Sequence, residues 1–341
     1  MVLLAAATPT GRYIVRAAAA EASILARRRP IPELIADPRT PPATRDKLAL
    51  VLAARQFAED SLGLRAGDSY TQFTQLDSDT LVLVVSAAYR DRLARKGWWF
   101  PIVGRVPYKG FFDPADAARE GERLTRDGFD VNIRPASAFS TLGWFNDPLL
   151  STTLRADSLR LVDTVIHELL HSTYYAAGDA VFNESFANFV GARGAQRFFA
   201  ARGDTAAVAR LQARWHDQKL MGRVWTDAYS SVDSAFERYP DDSSARVAAR
   251  DTVFARLRET LVTGIAPRLR ATDPASLRRL RLDNAVLMSR RVYLTDLQRF
   301  DDRWVRDGGD LRATIRAVIE DHRTGRTRDS LSDAAVASRP D

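Results

Sequence analysis

The sequence predicts an α+β protein that is mostly helical, with a small mixed sheet just before one motif-bearing helix. Between residues 80 and 135, segments rich in Val and aromatic residues alternate with Gly and Pro, as strands and turns do. From about residue 157 onward, apolar residues recur at the three-and-four spacing of amphipathic helices. The chain has 341 residues, 45% of them apolar, which is enough to bury a large core.

Two helices are predicted before the strands. Residues 12–29 have a helical composition, and we expect Pro30 and Pro32 to end this helix. Strong helix formers predict a second helix at 40–64, with Pro42 near its start. Strands are predicted at 80–89, 98–108 and 129–135, a helix at 115–128, and an extended segment at 139–148. Later helices are predicted at 158–176, 182–201, 205–220, 244–264, 274–300 and near 309–322.

These elements group into four predicted parts. Residues 1–66 form an N-terminal helical segment, 67–155 a small α/β part with the sheet, and 156–321 a helical part that carries the motif. Residues 1–321 are expected to be one compact unit. Residues 322–341 are expected to be a disordered tail, because they offer little apolar surface to bury.

The net charge of +7 does not predict a nucleic-acid partner. The chain holds 46 Arg against 4 Lys and 33 Asp against 10 Glu, and most arginines have an aspartate nearby. No block of five basic residues occurs, whereas nucleic-acid surfaces usually combine clustered charge with aromatic residues. No apolar run of about 18 residues occurs either, so we expect no transmembrane segment.

Composition leaves the cellular location open. The first residues, MVLLAAATPTG, hold a short apolar run with no positive charge before it, which matches a secretion signal poorly. The sequence has no cysteine, so it has neither disulfides nor thiolate metal ligands, and the redox compartment stays undecided.

Residues 165–194 read VIHELLHSTYYAAGDAVFNESFANFVGARG and contain the pattern H-E-x-x-H. His167 and His171 are four residues apart, so in a helix both rings leave the same face. Glu168 is adjacent in angle to that face and can reach a water molecule held there. Two imidazole ligands and a general base on one helix are typical of hydrolytic zinc sites.

A catalytic zinc requires a third protein ligand, and Glu184 is the candidate. We expect Gly178 to end the first helix and a second helix to begin near Phe182, so that a hairpin bends near residues 177–178. His171 lies seven residues before Gly178 and Glu184 six after it, which brings the two level across roughly 8–10 Å between helix axes. The alternative is a set of packed core residues. Unpaired ionisable groups are costly in apolar helices, however, and a metal ion removes that cost.

Two more residues are predicted beside the ligands. Asn188 lies four residues after Glu184 on the same helix face and could hold a ligand in place. Thr164 precedes His167 by one turn and either lines the site or packs. A His, His, Glu set without cysteine favours Zn²⁺, one ion per chain.

The same stretch resembles the gluzincin pattern of zinc peptidases, in which HExxH is followed by a helix bearing Asn-Glu. His167, Glu168 and His171 match the first motif, and Asn183 and Glu184 match the second. Over roughly residues 12–320 the chain resembles the bacterial family of putative aminopeptidases. The segments that carry this likeness are RRRPIPELIADPRTPPATRDKLALVL (27–52), FPIVGRVPYKGFF (100–112), STLGWFNDPLL (140–150), residues 166–194 and DNAVLMSRRVY (283–293).

The resemblance implies a zincin-like metallopeptidase fold, a peptide substrate, and a supporting place for Asn183 beside the ligands. STLGWFNDPLL stands where gluzincins keep a substrate-binding edge strand, although an ordinary buried strand is the alternative. The expected substrate-binding residues are Gly143, Trp144, Phe145, Asn146 and Asp147. Many members of the family begin with an export signal, so the resemblance also implies the cell envelope or periplasm.

The motif residues have distinct expected roles in peptide hydrolysis. Glu168 would accept the proton of the attacking water and pass it to the leaving amine. A protein donor would stabilise the oxyanion. We expect this donor to be Tyr293, which lies in a segment that resembles the family; Tyr229, Tyr239 and His216 are the alternatives.

Aminopeptidase activity is implied by the resemblance alone. Well-known gluzincin aminopeptidases hold the substrate's ammonium with a glutamate on the edge segment, but no Glu lies between Glu122 and Glu168 here. Asp147 is the nearest acid in that segment. Three alternatives therefore stay open. They are a zinc endopeptidase, a hydrolase of another amide, and a non-catalytic protein in which zinc has the structural role of holding the hairpin together.

Overall fold

The computed structural model describes residues 11, 19, 21–76, 82–100, 104–135 and 148–326. The chain divides into two compact units whose segments alternate along the sequence. The first unit comprises Met1–Ala53, Gly67–Leu161 and Asp283–Val286, and the second comprises Ala54–Ala66, Val162–Leu282 and Leu287–Asp341. The domain limits predicted at residues 66, 155 and 321 stay predictions.

The first unit contains the strands of the described residues. They are β1 (Arg29–Pro30), β2 (Gln72–Thr74), β3 (Leu83–Tyr89), β4 (Trp98–Phe100), β5 (Gly104–Val106), β6 (Lys109–Phe111), β7 (Phe129–Pro135) and β8 (Leu149–Leu150). They form small sheets with the orders β1–β2–β8, β6–β3–β7 and β4–β5. The first sheet is mixed, because β2 pairs antiparallel with β1 and parallel with β8. The mostly helical α+β prediction is therefore confirmed, with the β structure divided among short sheets.

The helices that belong wholly or partly to this unit follow the sequence signals closely. Residues 21–26 are helical, and further along the described residues lie α1 (Ile31–Ala36), α2 (Pro42–Leu62), which runs on into the second unit, and α3 (Pro114–Arg126). The Asp113 carboxylate accepts a hydrogen bond from the Ala115 amide and so caps the start of α3. Gly128, with a φ of 85°, follows its end. A small core joins α3 to β3 and β7 through Val85, Ala87, Ala117, Leu124 and Val131.

Some expectations for this unit need correction. The helix predicted at 12–29 ends earlier, at residue 26, before β1. Pro32 lies in the first turn of α1, where a missing backbone N–H costs nothing. The strand predicted at 98–108 is two strands, β4 and β5, which pair antiparallel. The segment expected to be extended at 139–148 lies, up to residue 147, outside the described residues.

The second unit is built from helices. They are α4 (Ser158–Thr173), α5 (Ala180–Ala200), α6 (Thr205–Glu237), α7 (Ser243–Glu259), α8 (Pro274–Arg278), α9 (Asn284–Leu294), α10 (Leu297–Arg306) and α11 (Leu311–Arg323). Two of them begin in the first unit: α4 belongs to the second unit from Val162 onward, and α9 from Leu287 onward. A π-helical turn, Thr260–Ile265, follows α7. No helix in the described ranges is long and apolar enough to cross a membrane.

Aspartate caps explain where many of these helices begin. The side chains of Asp179, Asp204, Asp242 and Asp310 each accept a hydrogen bond from a backbone amide in the first turn of the following helix. A carboxylate at this position also interacts favourably with the helix dipole. Helix capping thus accounts for some of the aspartates in this Asp-rich sequence.

Two predicted helices have different lengths in the structure. The helix predicted at 205–220 continues to Glu237 as α6. The single helix predicted at 274–300 is wrong, because α8, α9 and α10 share this stretch. Asp283 caps α9 by accepting from the Val286 amide, and Asp296 has a left-handed φ of 54° that separates α9 from α10.

Helix α5 lies at the centre of the second unit. Its Phe186 and Phe189 stack on Phe300 of α10, with ring centroids 5.4 and 5.6 Å apart. The buried carboxylate of Asp301 accepts from Arg193 of α5 at 2.7 Å and from Trp215 of α6 at 2.9 Å. These contacts fix the helix that carries Glu184.

Candidate metal centre

Helix α4 presents a buried apolar face and a polar face. Val162, Val165, Ile166 and Leu169 are fully buried. His167 and His171 leave the helix beside this face, with 14% and 19% of their side chains exposed. The three-and-four pattern of the sequence therefore sets which residues pack and which point toward the site.

The expectation that Gly178 ends the first helix is wrong, because α4 already ends at Thr173. The bend expected near residues 177–178 is present as a turn before α5, and Gly178 has a φ of 83° there. Asn183 closes it: its Nδ2 donates to the Ala176 carbonyl at 2.7 Å, and its Oδ1 accepts from the Ala176 amide at 2.8 Å. Asn183 is 3% exposed, so both bonds are shielded from water. It therefore supports the site by fixing the loop, and its amide is occupied by that backbone.

The hairpin brings the three expected ligands together. The Nε2 atoms of His167 and His171 are 3.2 Å apart. Glu184 lies 3.4 Å from His167 Nε2 through Oε2 and 3.7 Å from His171 Nε2 through Oε1. These side chains form a group whose ligand atoms all lie within 4.8 Å of one another.

This triangle fits a tetrahedral ion. Two ligand atoms at about 2.0–2.2 Å from a tetrahedral centre are separated by about 3.3–3.6 Å. The shortest separations, 3.2, 3.4 and 3.7 Å, scatter around that value, and the last two are made by different oxygens of Glu184. Two nitrogens and one carboxylate oxygen are also a donor set that Zn²⁺ accepts, with a fourth position left for water. The residues present therefore fit a zinc ion.

The pKa values of the two histidines are shifted in opposite directions. Burial alone lowers the pKa of His167, but the contact with Glu184 and the charges of Glu168 and Asp163 outweigh it and raise the pKa. Burial and the neighbouring His167 lower the pKa of His171 to about 4. His171 is thus neutral near pH 7, which is the form that ligates metals.

Glu168 and Asp163 flank the candidate ligands on α4. Glu168 is half-buried and does not belong to the ligand triangle, although its charge acts on His167. Asp163, one turn before His167, also acts on His167 through its charge. A carboxylate that acts on a ligating histidine commonly tunes its basicity. Sequence reasoning named Thr164, which is half-buried on the same turn, and missed Asp163 beside it.

Asn188 connects Glu184's helix to Tyr293. Its Nδ2 donates to the Tyr293 carbonyl at 2.5 Å, and Ser185 Oγ donates to the Val292 carbonyl at 3.5 Å. The end of α9 is therefore attached to α5 one turn beyond Glu184. Asn188 acts on this backbone, whereas the sequence suggested that it holds a ligand.

The remaining predicted residues stay predictions. Gly143, Trp144, Phe145, Asn146 and Asp147 lie outside the described residues. Of the alternatives to Tyr293, His216 pairs with Asp217 at 3.2 Å, and the ring of Tyr229 lies beneath Arg291 at 3.8 Å.

Close packing of α4 and α5 sets the ligand distances. A Cβ atom at Gly191 would lie 2.5 Å from Asp163 Oδ1, 2.9 Å from the Asp163 carbonyl and 3.2 Å from His167 Cβ. One turn on, a Cβ atom at Gly194 would lie 2.9 Å from Ile166. The two glycines thus allow α5 to approach the turn of α4 that carries Asp163 and His167.

Replacing Gly191 by alanine is expected to lower the free energy of unfolding by about 1–3 kcal/mol and to weaken metal binding, because the new methyl group overpacks the contact at His167. Gly264→Ala is the matched control, since a Cβ atom added there would meet nothing within 4 Å. That variant should be as stable as the parent or more stable by up to about 1 kcal/mol. Urea denaturation and zinc titration measure both; equal effects at the two positions would contradict the packing argument.

Comparison with known proteins identifies the family to which the chain belongs. Residues 12–329 match the family model described as "Putative aminopeptidase". No curated protein and no solved structure matches the chain. The match covers both helices of the hairpin and the segment that contains Tyr293.

Proposed function

The chain belongs to the putative aminopeptidase family, and we propose that it is a zinc-dependent peptidase of the gluzincin type, with a zincin-like catalytic unit. The observation that carries the proposal is the cluster of His167, His171 and Glu184, in which one ligand atom from each residue lies within 4.8 Å of the other two. The family description supports peptide substrates, and the donor set supports Zn²⁺.

A zinc ion held by these three residues would supply a water of lowered pKa and polarise the scissile carbonyl. The chain's own residues would do the rest. Glu168 follows the first candidate ligand directly and does not belong to the ligand group, so it is the proposed base. It would take the proton of the attacking water and deliver it to the nitrogen of the leaving amine.

Tyr293 is the proposed donor to the oxyanion. Its backbone is bonded to Asn188, one turn after Glu184, which supports a position near the ligands. A phenol O–H there would stabilise the negative charge that develops on the carbonyl oxygen. Gly143 to Asp147 are the proposed substrate-binding segment, and a cell-envelope location stays a prediction from the family resemblance.

The proposal is tested with a mixed peptide library and a mass-spectrometric readout. Zinc-loaded protein, the same protein stripped by a chelator, and the stripped protein reloaded with Zn²⁺ are compared. We expect products in the first and third samples only, shortened one residue at a time from free N-termini. Internal cuts would identify an endopeptidase. Identical libraries in all three samples would contradict the peptidase proposal and favour a zinc clip that only stabilises the hairpin.

A further inference from the structure

Tyr175 is an exposed aromatic residue directly beside the candidate ligands. It lies in the segment between α4 and α5, and 63% of its surface is exposed. Its ring centroid is 6.2 Å from that of His171, with the two planes at 69°. Among the exposed large apolar side chains of the described residues, it is the one with a ring contact to this ligand set. Ligand sites are lined mainly by apolar and aromatic side chains, so an exposed ring at this position can form part of such a lining.

The residues on either side hold Tyr175 in place. The Tyr174 amide donates to the Leu170 carbonyl at 2.8 Å, and the Tyr174 hydroxyl bonds to His322 Nδ1 at 2.8 Å. On the other side, both backbone groups of Ala176 are bonded to Asn183. The exposure of Tyr175 therefore belongs to a backbone that is fixed at both neighbours.

His322 extends this support to the rest of the loop. Its ring packs against that of Phe182 with centroids 4.0 Å apart and planes tilted by 32°, and its Nε2 lies 3.5 Å from Asp179 Oδ2. Tyr174, which follows α4, and Asp179, which caps α5, are thus bridged by a side chain of α11. The Tyr174 side chain makes one of the contacts of this bridge, whereas the Tyr175 side chain is exposed to solvent beside His171.

We propose that Tyr175 is a substrate-contact residue whose ring packs against an apolar side chain of the peptide next to the scissile bond. The proposal rests on the proposed function, because the contact has a purpose only if a peptide reaches the metal centre. A fixed aromatic ring gives contact area at a small cost in conformational entropy. The ring, and not the hydroxyl, carries the contact, so the site prefers peptides with apolar residues over glycine peptides.

The test measures binding separately from turnover. The metal-loaded Glu168→Gln protein, which lacks the proposed base, is titrated calorimetrically with trileucine and with triglycine. Adding Tyr175→Ala is expected to weaken trileucine binding roughly 5- to 30-fold and triglycine binding less than about 2-fold. Tyr175→Phe in the same background should bind trileucine within about 2-fold of the parent. Tyr108→Ala, at an exposed tyrosine between β5 and β6, is the matched control and should change neither affinity.

Three outcomes overturn the proposal. If Tyr175→Phe weakens trileucine binding as much as Tyr175→Ala, the hydroxyl carries the contact. If Tyr175→Ala lowers the zinc content of the protein, the ring serves to hold His171. If trileucine does not bind, or binds equally well to the Tyr175→Ala protein, Tyr175 is not a contact residue. Tyr175-dependent binding of trileucine in a protein whose wild-type form hydrolyses no peptide would support this contact while contradicting the proposed function.

Discussion

Replacing Glu184 by glutamine is expected to give a folded protein that has lost most of its affinity for Zn²⁺. Glutamine keeps the size of the side chain but removes the charge that faces both His167 and His171 at 3.4 and 3.7 Å. Loss of an outer partner of a ligand already costs roughly 10- to 100-fold in metal affinity. We therefore expect a loss of more than about 100-fold, measured by competition with a chelating dye, together with loss of peptidase activity.

The fold should survive this change because the hairpin has other supports. Asn183 closes the bend through two backbone hydrogen bonds, and the phenylalanines of α5 stack on Phe300. In the metal-free state, Glu184→Gln should lower the free energy of unfolding by at most about 3 kcal/mol, because it removes a charged partner from a mostly buried cluster but keeps an oxygen that can accept a hydrogen bond. Wild-type zinc affinity in the variant would show that Glu184 is not a ligand.

The ends of secondary-structure elements were predictable where a local signal exists. Strand 129–135 was predicted with the limits that β7 has, because its apolar pattern is bounded by Gly128 and Pro135. The start of α2 at Pro42 and the bend at Gly178 follow from residues whose backbone preferences are strong. The break at Asp296 was missed, because an aspartate in the left-handed region has no reliable signal in the sequence.

The meeting of His167, His171 and Glu184 was predictable for a similar reason. Helix periodicity gives the first pair, and counting from Gly178 gives the third residue, so two local rules suffice. The supporting contacts were not predictable, because they depend on tertiary packing. Asn183 and Asn188 both bond to backbone groups more than one turn away, at Ala176 and Tyr293.

The position of Asp163 beside the site follows from helix periodicity. Asp163 precedes His167 by one helical turn, so the same periodicity that pairs His167 with His171 also places its carboxylate near the site. The small residues Gly191 and Gly194 on the facing helix are a second signal, because they allow the close approach at Asp163 and Ile166. The predicted substrate-binding segment stays a prediction, because residues 143–147 lie outside the described residues.

Replacing Glu168 by glutamine is expected to lower kcat by roughly 10²- to 10⁴-fold, the range that general acid–base catalysis contributes. Glutamine has nearly the same shape, but its amide cannot accept the proton of the attacking water. Glu168 does not belong to the ligand triangle, so the zinc content should stay at one ion per chain. Steady-state kinetics on a peptide from the library test, with metal analysis of the same samples, measure both quantities.

The pair of glutamate variants separates catalysis from metal binding. Glu184→Gln should lose zinc and activity together, whereas Glu168→Gln should lose activity alone, and Glu168→Asp should lose less because a shorter carboxylate can still accept a proton. Both glutamates act on the pKa of His167, so a purely electrostatic role would give both variants the same change in zinc affinity. If Glu168→Gln retains full kcat, the water is activated without this residue, and the proposed base is wrong. If it loses the metal as Glu184→Gln does, Glu168 stabilises the bound ion, and the loss of activity no longer identifies a base.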